Sequence, residues 1–368
     1  MSTLLIFIDG LSFSLANERL SVLTGRKVYP ITPGIGFSNN LYPEMLCGKT
    51  PDEIGYFNEW SPAALRSLPL PVLLRVADIF RKYLYINAGF RKIFLKRVLK
   101  RDYANIPFEY AHFFVPEGSH NFRDLKDGLL KDHKFKIYDA VDVKARVGNR
   151  DVVAIDKAEA NLRRENTLIS LVDLDNIAHI DGLQSAKFSD HIKMLDKRIG
   201  LLVRTFLELD PEANIFLFSD HGMADVSRAV YLDIESVAGK MAYGKYLYFI
   251  DSTFLRVWVK DEQISAAIME YLDRFEDGAI LTKEERIRFG ISNPEFGDII
   301  FRANEGILFL PNFYGARYVK AMHGYDSDLV SQTAFLAEVS TVCRSSPHPR
   351  RSKDVFTYLS QCLGEGGK

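Results

Sequence analysis

Six residues of types that bind metal ions stand in four short, separated segments: Asp9 in LLIFIDG, Asp175 and His179 in LVDLDNIAH, Asp220 and His221 in IFLFSDHGM, and His323 in AMHGYD. Three carboxylates and three imidazoles can supply two divalent cations, and a cation pair stabilises both the attacking and the leaving oxygen of a displacement at phosphorus. With no thiolate among them, the set suits two Zn2+ first, with Mn2+ or Fe as the alternative at one site. Taken singly, each residue is ordinary. An Asp at a strand end is usually a helix cap, and a His beside an apolar strand usually has a structural hydrogen bond.

Spacing narrows the reading. Asp175 and His179 are four apart, so a helical turn places both on one side. Asp220 and His221 are adjacent, and on a strand they would point opposite ways. Both reach one site only if the chain turns there, which Gly222 permits, as Gly10 and Gly324 do after Asp9 and His323. Ser38 lies in PGIGFSNNLYPEMLCG, a glycine-rich approach running into a helix. It is placed at the helix N-terminus, where backbone N–H groups can hold a phosphate oxygen. Its hydroxyl becomes a competent nucleophile once deprotonated.

The elements that must carry these residues are legible as buried strands. LLIFI (4–8), TLISLVDL (167–174) and NIFLFSD (214–220) are continuous apolar runs, as expected of parallel strands covered on both faces. Between them, Ser185 to Leu207 repeats apolar residues at helical steps. Strands alternating with helices predict an α/β fold, a three-layer α/β/α sandwich on a mostly parallel sheet, with Asp9, Asp175 and Asp220 at its carboxyl edge. The chain reads as one catalytic domain over 1–368. An inserted helical cap occupies 60–150 and a second insertion, strand-like at 246–250 and 254–259 and helical at 261–275, occupies 240–310. The tail after Ser345 reads as a loop and a terminal helix around Val355 to Cys362.

Composition sets bounds on this reading. The 368 residues are 47% hydrophobic, with 47 basic and 48 acidic side chains, so global charge does not suggest a nucleic-acid partner. Three cysteines without C-x-x-C spacing suggest neither a disulfide framework nor a cysteine zinc site. No apolar run reaches a membrane span, and the N-terminus lacks a signal-peptide pattern. The expected location is cytoplasmic, with membrane association through a basic surface as a further expectation. That surface lies between Arg75 and Arg101, where nine basic residues face Asp78 alone and aromatic residues are interleaved. It could attract an anionic substrate or lie on anionic lipid. The same pattern is that of surface helices with a solvated basic side, and that plainer reading is favoured.

The order FIDG, GFSNN…CGKTPDEIGYFNEW, DLDNIAH, SDHGM and MHGYD resembles the type I phosphodiesterase/nucleotide pyrophosphatase branch of the alkaline phosphatase superfamily. The resemblance implies an alkaline-phosphatase-like fold and a metal-dependent phosphoric ester hydrolase. It implies that Asp175, His179 and His323 hold one zinc and that Asp9, Asp220 and His221 hold the other. Ser38 would coordinate the second ion and attack phosphorus, giving a phosphoseryl intermediate. Asn58 would hydrogen-bond a phosphoryl oxygen. Asn39, Glu59 and Trp60 are expected at the substrate pocket, and a phosphorylated small molecule, glycan or lipid is the expected substrate. The family's diesterases usually carry threonine where Ser38 stands, so a phosphomonoesterase or a phosphotransferase is an alternative. A metal-stabilised binder of a phosphorylated lipid or glycan is a further one, which Ser38 argues against. A sulfatase would need a C-x-P-x-R or S-x-P-x-R setting that Cys47-Gly-Lys-Thr-Pro does not supply. The remaining histidines, His112, His120, His133, His191 and His348, are read as surface or structural residues.

Overall fold

Each residue of the strand β1 (Thr3–Ile8) is buried, and its side chains divide between two cores. Leu4, Ile6 and Ile8 join one apolar cluster, while Leu5 and Phe7 join another. An apolar run buried on both faces is what a central parallel strand requires. The computed structural model describes residues 1–58, 60–63, 106, 110, 113–116, 128–313, 319–341 and 347–365. The chain divides into two compact units, the first drawn from Met1–Phe57, Ser119–Val226 and Val319–Lys368, the second from Asn58–Gly118 and Ser227–Tyr318.

The first unit is built on a six-stranded sheet. Its strands are β1, β2 (Lys27–Ile31), β3 (Lys136–Asp139), β4 (Thr167–Leu171), β5 (Asn214–Phe218) and β6 (Ala334–Ser340), in the order β2–β6–β5–β1–β4–β3. β1 runs parallel to β4 and β5, and β3 parallel to β4, whereas β6 runs antiparallel to β5 and β2. One face is covered by helices α1 (Phe13–Arg19), α3 (Arg150–Ala160), α4 (Asp173–Asp181) and α5 (Ala186–Leu209), through residues such as Ala16, Ile155, Ile177, Leu195 and Phe206. The other face carries Tyr42, Met45 and Leu46 of α2 (Ser38–Cys47), with Val355 and Leu359 of α6 (Ser352–Glu365). The result is an α/β/α sandwich on a mainly parallel sheet, as the apolar runs imply. Strand β3 falls inside the 60–150 stretch that sequence alone sets apart as an insertion, yet it extends the central sheet. Its short KIYD run has too little apolar length to announce a strand.

In the second unit, Tyr246–Asp251, Phe254–Val259, Ile299–Ala303 and Gly278–Ile280 form an antiparallel sheet in that order. Helix Glu262–Leu272 buries Ile268 and Leu272. Trp60–Pro62 pairs with Phe114–Pro116, so both expected insertions contribute to one unit. The basic segment Arg75–Arg101 lies outside the described residues. No helix among the described residues is long and apolar enough to cross a membrane. Cys47 is buried and Cys362 is disulfide-bonded, a bond that the cysteine spacing does not announce.

Glu44, on α2, is buried, and burial pushes its carboxyl up to about 7, with Lys353 and Arg351 only partly opposing the shift. The folded chain therefore holds a proton that the unfolded chain releases between pH 4.5 and 7, so this group costs stability as pH rises through that window. The full shift corresponds to a cost on the order of 3 kcal/mol. Glu44→Gln is expected to stabilise the protein at pH 8 and to be nearly neutral at pH 4.5. Urea denaturation of both proteins at the two pH values checks this, and equal stabilities at pH 8 would refute it.

Candidate active site

Parallel strands deliver their carboxyl ends to one edge of the sheet, and the candidate ligands follow those ends. Asp9 immediately follows β1, and its N–H donates to Leu171 O at 2.9 Å, continuing the pairing with β4. The chain then turns through Gly10, at φ +70°, where an added Cβ would meet the Asp175 side chain at 3.1 Å. Asp175 and His179 lie on α4, directly after β4, with His179 Nε2 3.3 Å from Asp175 Oδ2. The i,i+4 expectation therefore holds in the folded chain.

Asp220 and His221 follow β5 in a loop that differs from the expected turn in one respect. Gly222 is required for close approach and not for a left-handed conformation, since a Cβ there would lie 2.1 Å from Ser331 O and 2.7 Å from Ser12 Cβ. Asp220 Oδ1 accepts from the N–H groups of His221 at 3.0 Å and Gly10 at 3.4 Å. His323 follows a short strand whose Met322 pairs with Ala224. The His221 and His323 rings are stacked with centroids 3.8 Å apart, and His323 Nε2 lies 3.9 Å from Asp175 Oδ1. Ser38 is the first residue of α2, with its Oγ 3.0 Å from His221 Nε2 and 3.3 Å from Asp9 Oδ1. Asp9, Asp220 and His221 form one compact group of donor atoms, and Asp175, His221 and His323 form another.

This donor set fits cations on two grounds. Carbonyl oxygens only accept, so His179 Nδ1, 2.8 Å from Ala321 O, and His221 Nδ1, 3.0 Å from Gly222 O, must each carry the proton. In the neutral rings, the His179 Nε2 lone pair then faces Asp175 Oδ2 at 3.3 Å, a pairing of acceptors that a positive charge resolves, while that of His221 has the Ser38 hydroxyl at 3.0 Å and Asp220 Oδ2 at 3.3 Å. In addition, Asp175 Oδ1 and Asp220 Oδ2 are buried without a hydrogen-bond donor among the described residues, and such atoms are costly unless a ligand satisfies them.

The electrostatics show the same excess of acceptors. Burial, together with the charges of Asp220 and Asp175, raises the Asp9 carboxyl well above the usual carboxylate range. Burial also pushes Asp220 up to about 7, with the charge of Asp175 adding to the shift and the backbone N–H of Gly10 opposing it. For Asp175, burial alone would raise the carboxyl, but His179, His323 and His221 outweigh it and hold it below the ordinary value. Burial lowers His323 well below a usual imidazole, and the neighbouring His221 adds to that.

Tyr42 was not singled out from sequence. Its hydroxyl donates to Asp9 Oδ2 at 3.2 Å, and burial followed by the Asp9 charge raises its own pKa well above normal. The signal was available, because Tyr42 stands four residues after Ser38 on the same helical face. Asn58 belongs to the second unit, where it is buried and its amide donates to Asp251. Trp60 is also buried there, its ring stacked on Phe249 at 6.1 Å. Asn39 lies in α2, its side chain outside the described residues, as is all of Glu59. His191, expected as a surface or structural residue, is buried with its Nε2 2.8 Å from Asp151 Oδ2.

The chain matches the family model for type I phosphodiesterase/nucleotide pyrophosphatase over residues 92–326, a stretch that holds Asp175, His179, Asp220, His221 and His323. No curated protein sequence matches it. Human ectonucleotide pyrophosphatase/phosphodiesterase 5 is similar in structure, with 16% identity, a TM-score of 0.62, and coverage of 99% of this chain and 95% of that one. The murine protein, as an inactive threonine-to-alanine variant in complex with AMP, is similar with 16% identity, a TM-score of 0.64 and the same coverage. The fold thus extends over the N-terminal strand and helix that carry Asp9 and Ser38, beyond the stretch matched by the family model. The chain belongs to the type I phosphodiesterase/nucleotide pyrophosphatase family of the alkaline phosphatase superfamily, and is therefore a phosphoric ester hydrolase.

Proposed function

We propose that this protein hydrolyses a phosphodiester or pyrophosphate bond of a phosphorylated small molecule, with Ser38 as nucleophile and two zinc ions as resident cofactors. The observation that carries the proposal is the position of Ser38 Oγ at the start of α2, within 3.3 Å of both Asp9 Oδ1 and His221 Nε2. Asp175, His179 and His323 would hold one ion, and Asp9, Asp220 and His221 the other. When bound, the ions would supply charge neutralisation at the reacting oxygens and lower the pKa of the attacking hydroxyl.

The chain's own residues account for the rest. Ser38 Oγ attacks phosphorus and its proton departs with the displaced alcohol or phosphate, forming a phosphoseryl ester that water then cleaves, returning a proton to Ser38 and releasing the phosphoryl group. The Ala321 and Gly222 carbonyls fix the tautomers of His179 and His221, so that each Nε2 faces the reaction side of the site. Tyr42 holds Asp9 in place from the opposite oxygen. A nucleotide is a sensible substrate class, because the murine structural neighbour is a nucleotide pyrophosphatase/phosphodiesterase seen with AMP. The serine itself favours a second reading, phosphomonoester hydrolysis or phosphoryl transfer, since the diesterases of the family usually carry threonine where Ser38 stands.

Hydrolysis of bis-p-nitrophenyl phosphate and p-nitrophenyl phosphate by the zinc-loaded protein separates the two readings. A higher kcat/KM for the diester is expected. Preference for the monoester would move the assignment to a phosphatase.

A further inference from the structure

A second cluster of buried titratable groups, Asp151, Asp173 and His191, brings its donor atoms within 4.8 Å of one another, as the groups of the candidate active site do. Its hydrogen bonding argues for a different role. Asp151 Oδ1 accepts from Val172 N at 2.8 Å and Asp173 N at 3.1 Å, and its Oδ2 takes Asp173 N at 3.2 Å and His191 Nε2 at 2.8 Å. Asp173 Oδ2 accepts from Arg150 N at 2.7 Å and Asp151 N at 3.1 Å, and its Oδ1 from Arg150 Nε at 2.6 Å. All four carboxylate oxygens thus already face N–H donors, which a cation would have to displace. At the candidate active site, Asp175 and Asp220 each keep an oxygen with no donor among the described residues.

The pattern is a reciprocal cap. Asp151, in the first turn of α3, binds the N–H groups that open α4, and Asp173, in the first turn of α4, binds those that open α3. Val172, the residue before α4, contributes no side-chain cap of its own. The start of α4 therefore depends on Asp151, and His191 of α5 ties Asp151 to a third helix. Asp151 and Asp173 are fully buried and His191 is 6% exposed, so water cannot substitute for these bonds. Asp175 stands two residues beyond this anchor, and a helix whose first turn frays no longer fixes the side chains in that turn.

We propose that Asp151, held by His191, is a positioning residue for the cation site: it sets the N-terminus of α4 and through it the carboxylate of Asp175. The inference rests on the reading that Asp175 and His179 hold a cation. Outer partners that orient ligands typically change metal affinity by about 10- to 100-fold when removed.

The test is zinc affinity, measured by competition with a chromophoric chelator, alongside thermal unfolding of the zinc-free protein. Asp151→Ala is expected to weaken zinc binding by about 10- to 100-fold. Asp151→Asn, whose amide oxygen still accepts from Val172 and Asp173, should recover part of that loss, and His191→Gln should fall between Asp151→Asn and the native protein. Ser185→Ala removes the cap of α5, which binds Phe188 N at 3.1 Å, and serves as a control that lowers Tm without changing zinc affinity. Native zinc affinity in Asp151→Ala, with a Tm loss like that of Ser185→Ala, would overturn the proposal by showing a structural role only. If Asp151→Ala does not fold, native affinity in both Asp151→Asn and His191→Gln would overturn it equally. Failure of the native protein to bind zinc, manganese or iron would overturn the cation reading itself and this inference with it.

Discussion

Ser38→Ala is expected to lower kcat by at least about 10³-fold, a rise in barrier of about 4 kcal/mol, while cation binding changes by no more than a few-fold. The reason lies in what Ser38 can and cannot supply. Its Oγ is the hydroxyl held between Asp9 Oδ1 and His221 Nε2, so its removal takes away the atom that forms the bond to phosphorus. The carboxylates and imidazoles around it remain, and they carry most of the ligand field. Asp9 keeps its Tyr42 partner and Asp220 keeps its backbone donors. The measurement is kcat together with zinc content. Loss of turnover with zinc retained fits a nucleophile, whereas near-native turnover would show that water attacks directly and that no phosphoseryl ester forms.

Stripping divalent cations with a chelator is expected to abolish turnover, and zinc should restore it. The same treatment is expected to lower Tm, and Tm should rise with added zinc, because a ligand that binds only the folded state stabilises it by RT ln(1 + [L]/Kd), about 2.7 kcal/mol at a hundred times Kd. The physical cause is the burial of Asp9, Asp175 and Asp220, which are 6%, 8% and 0% exposed. Three carboxylates so placed resist ionisation together without positive charge among them. His221→Ala should reproduce much of the chelated behaviour, since His221 belongs to both donor groups. Full activity in the chelated protein, verified free of metal, would refute cation dependence.

Much of this was legible in the residues. The runs LLIFI and NIFLF had to be buried on both faces, and they are the neighbouring central strands β1 and β5. The four-residue spacing of Asp175 and His179 could place both on one side of a helix, and it does. Strand β3 was not legible, because an edge strand of four residues with mixed polarity carries no distinctive period. Gly222 was read as a source of turning freedom and is instead a point of close packing, a distinction that depends on Ser12 and Ser331 from distant parts of the chain.

By itself, the sequence determined the donor types, the order of the segments that carry them and the parallel strands that present them, because strand burial and helical spacing leave local periodic traces. Only the tertiary structure decided that Ser38 lies between Asp9 and His221, that Tyr42 braces Asp9, that residues 58–118 and 227–318 form one unit, and that Asp151 and Asp173 cap each other's helices. Those relations join residues from 21 to more than 180 positions apart. They are set by which surfaces pack together, and packing between distant segments leaves no period in the chain for a reader to find.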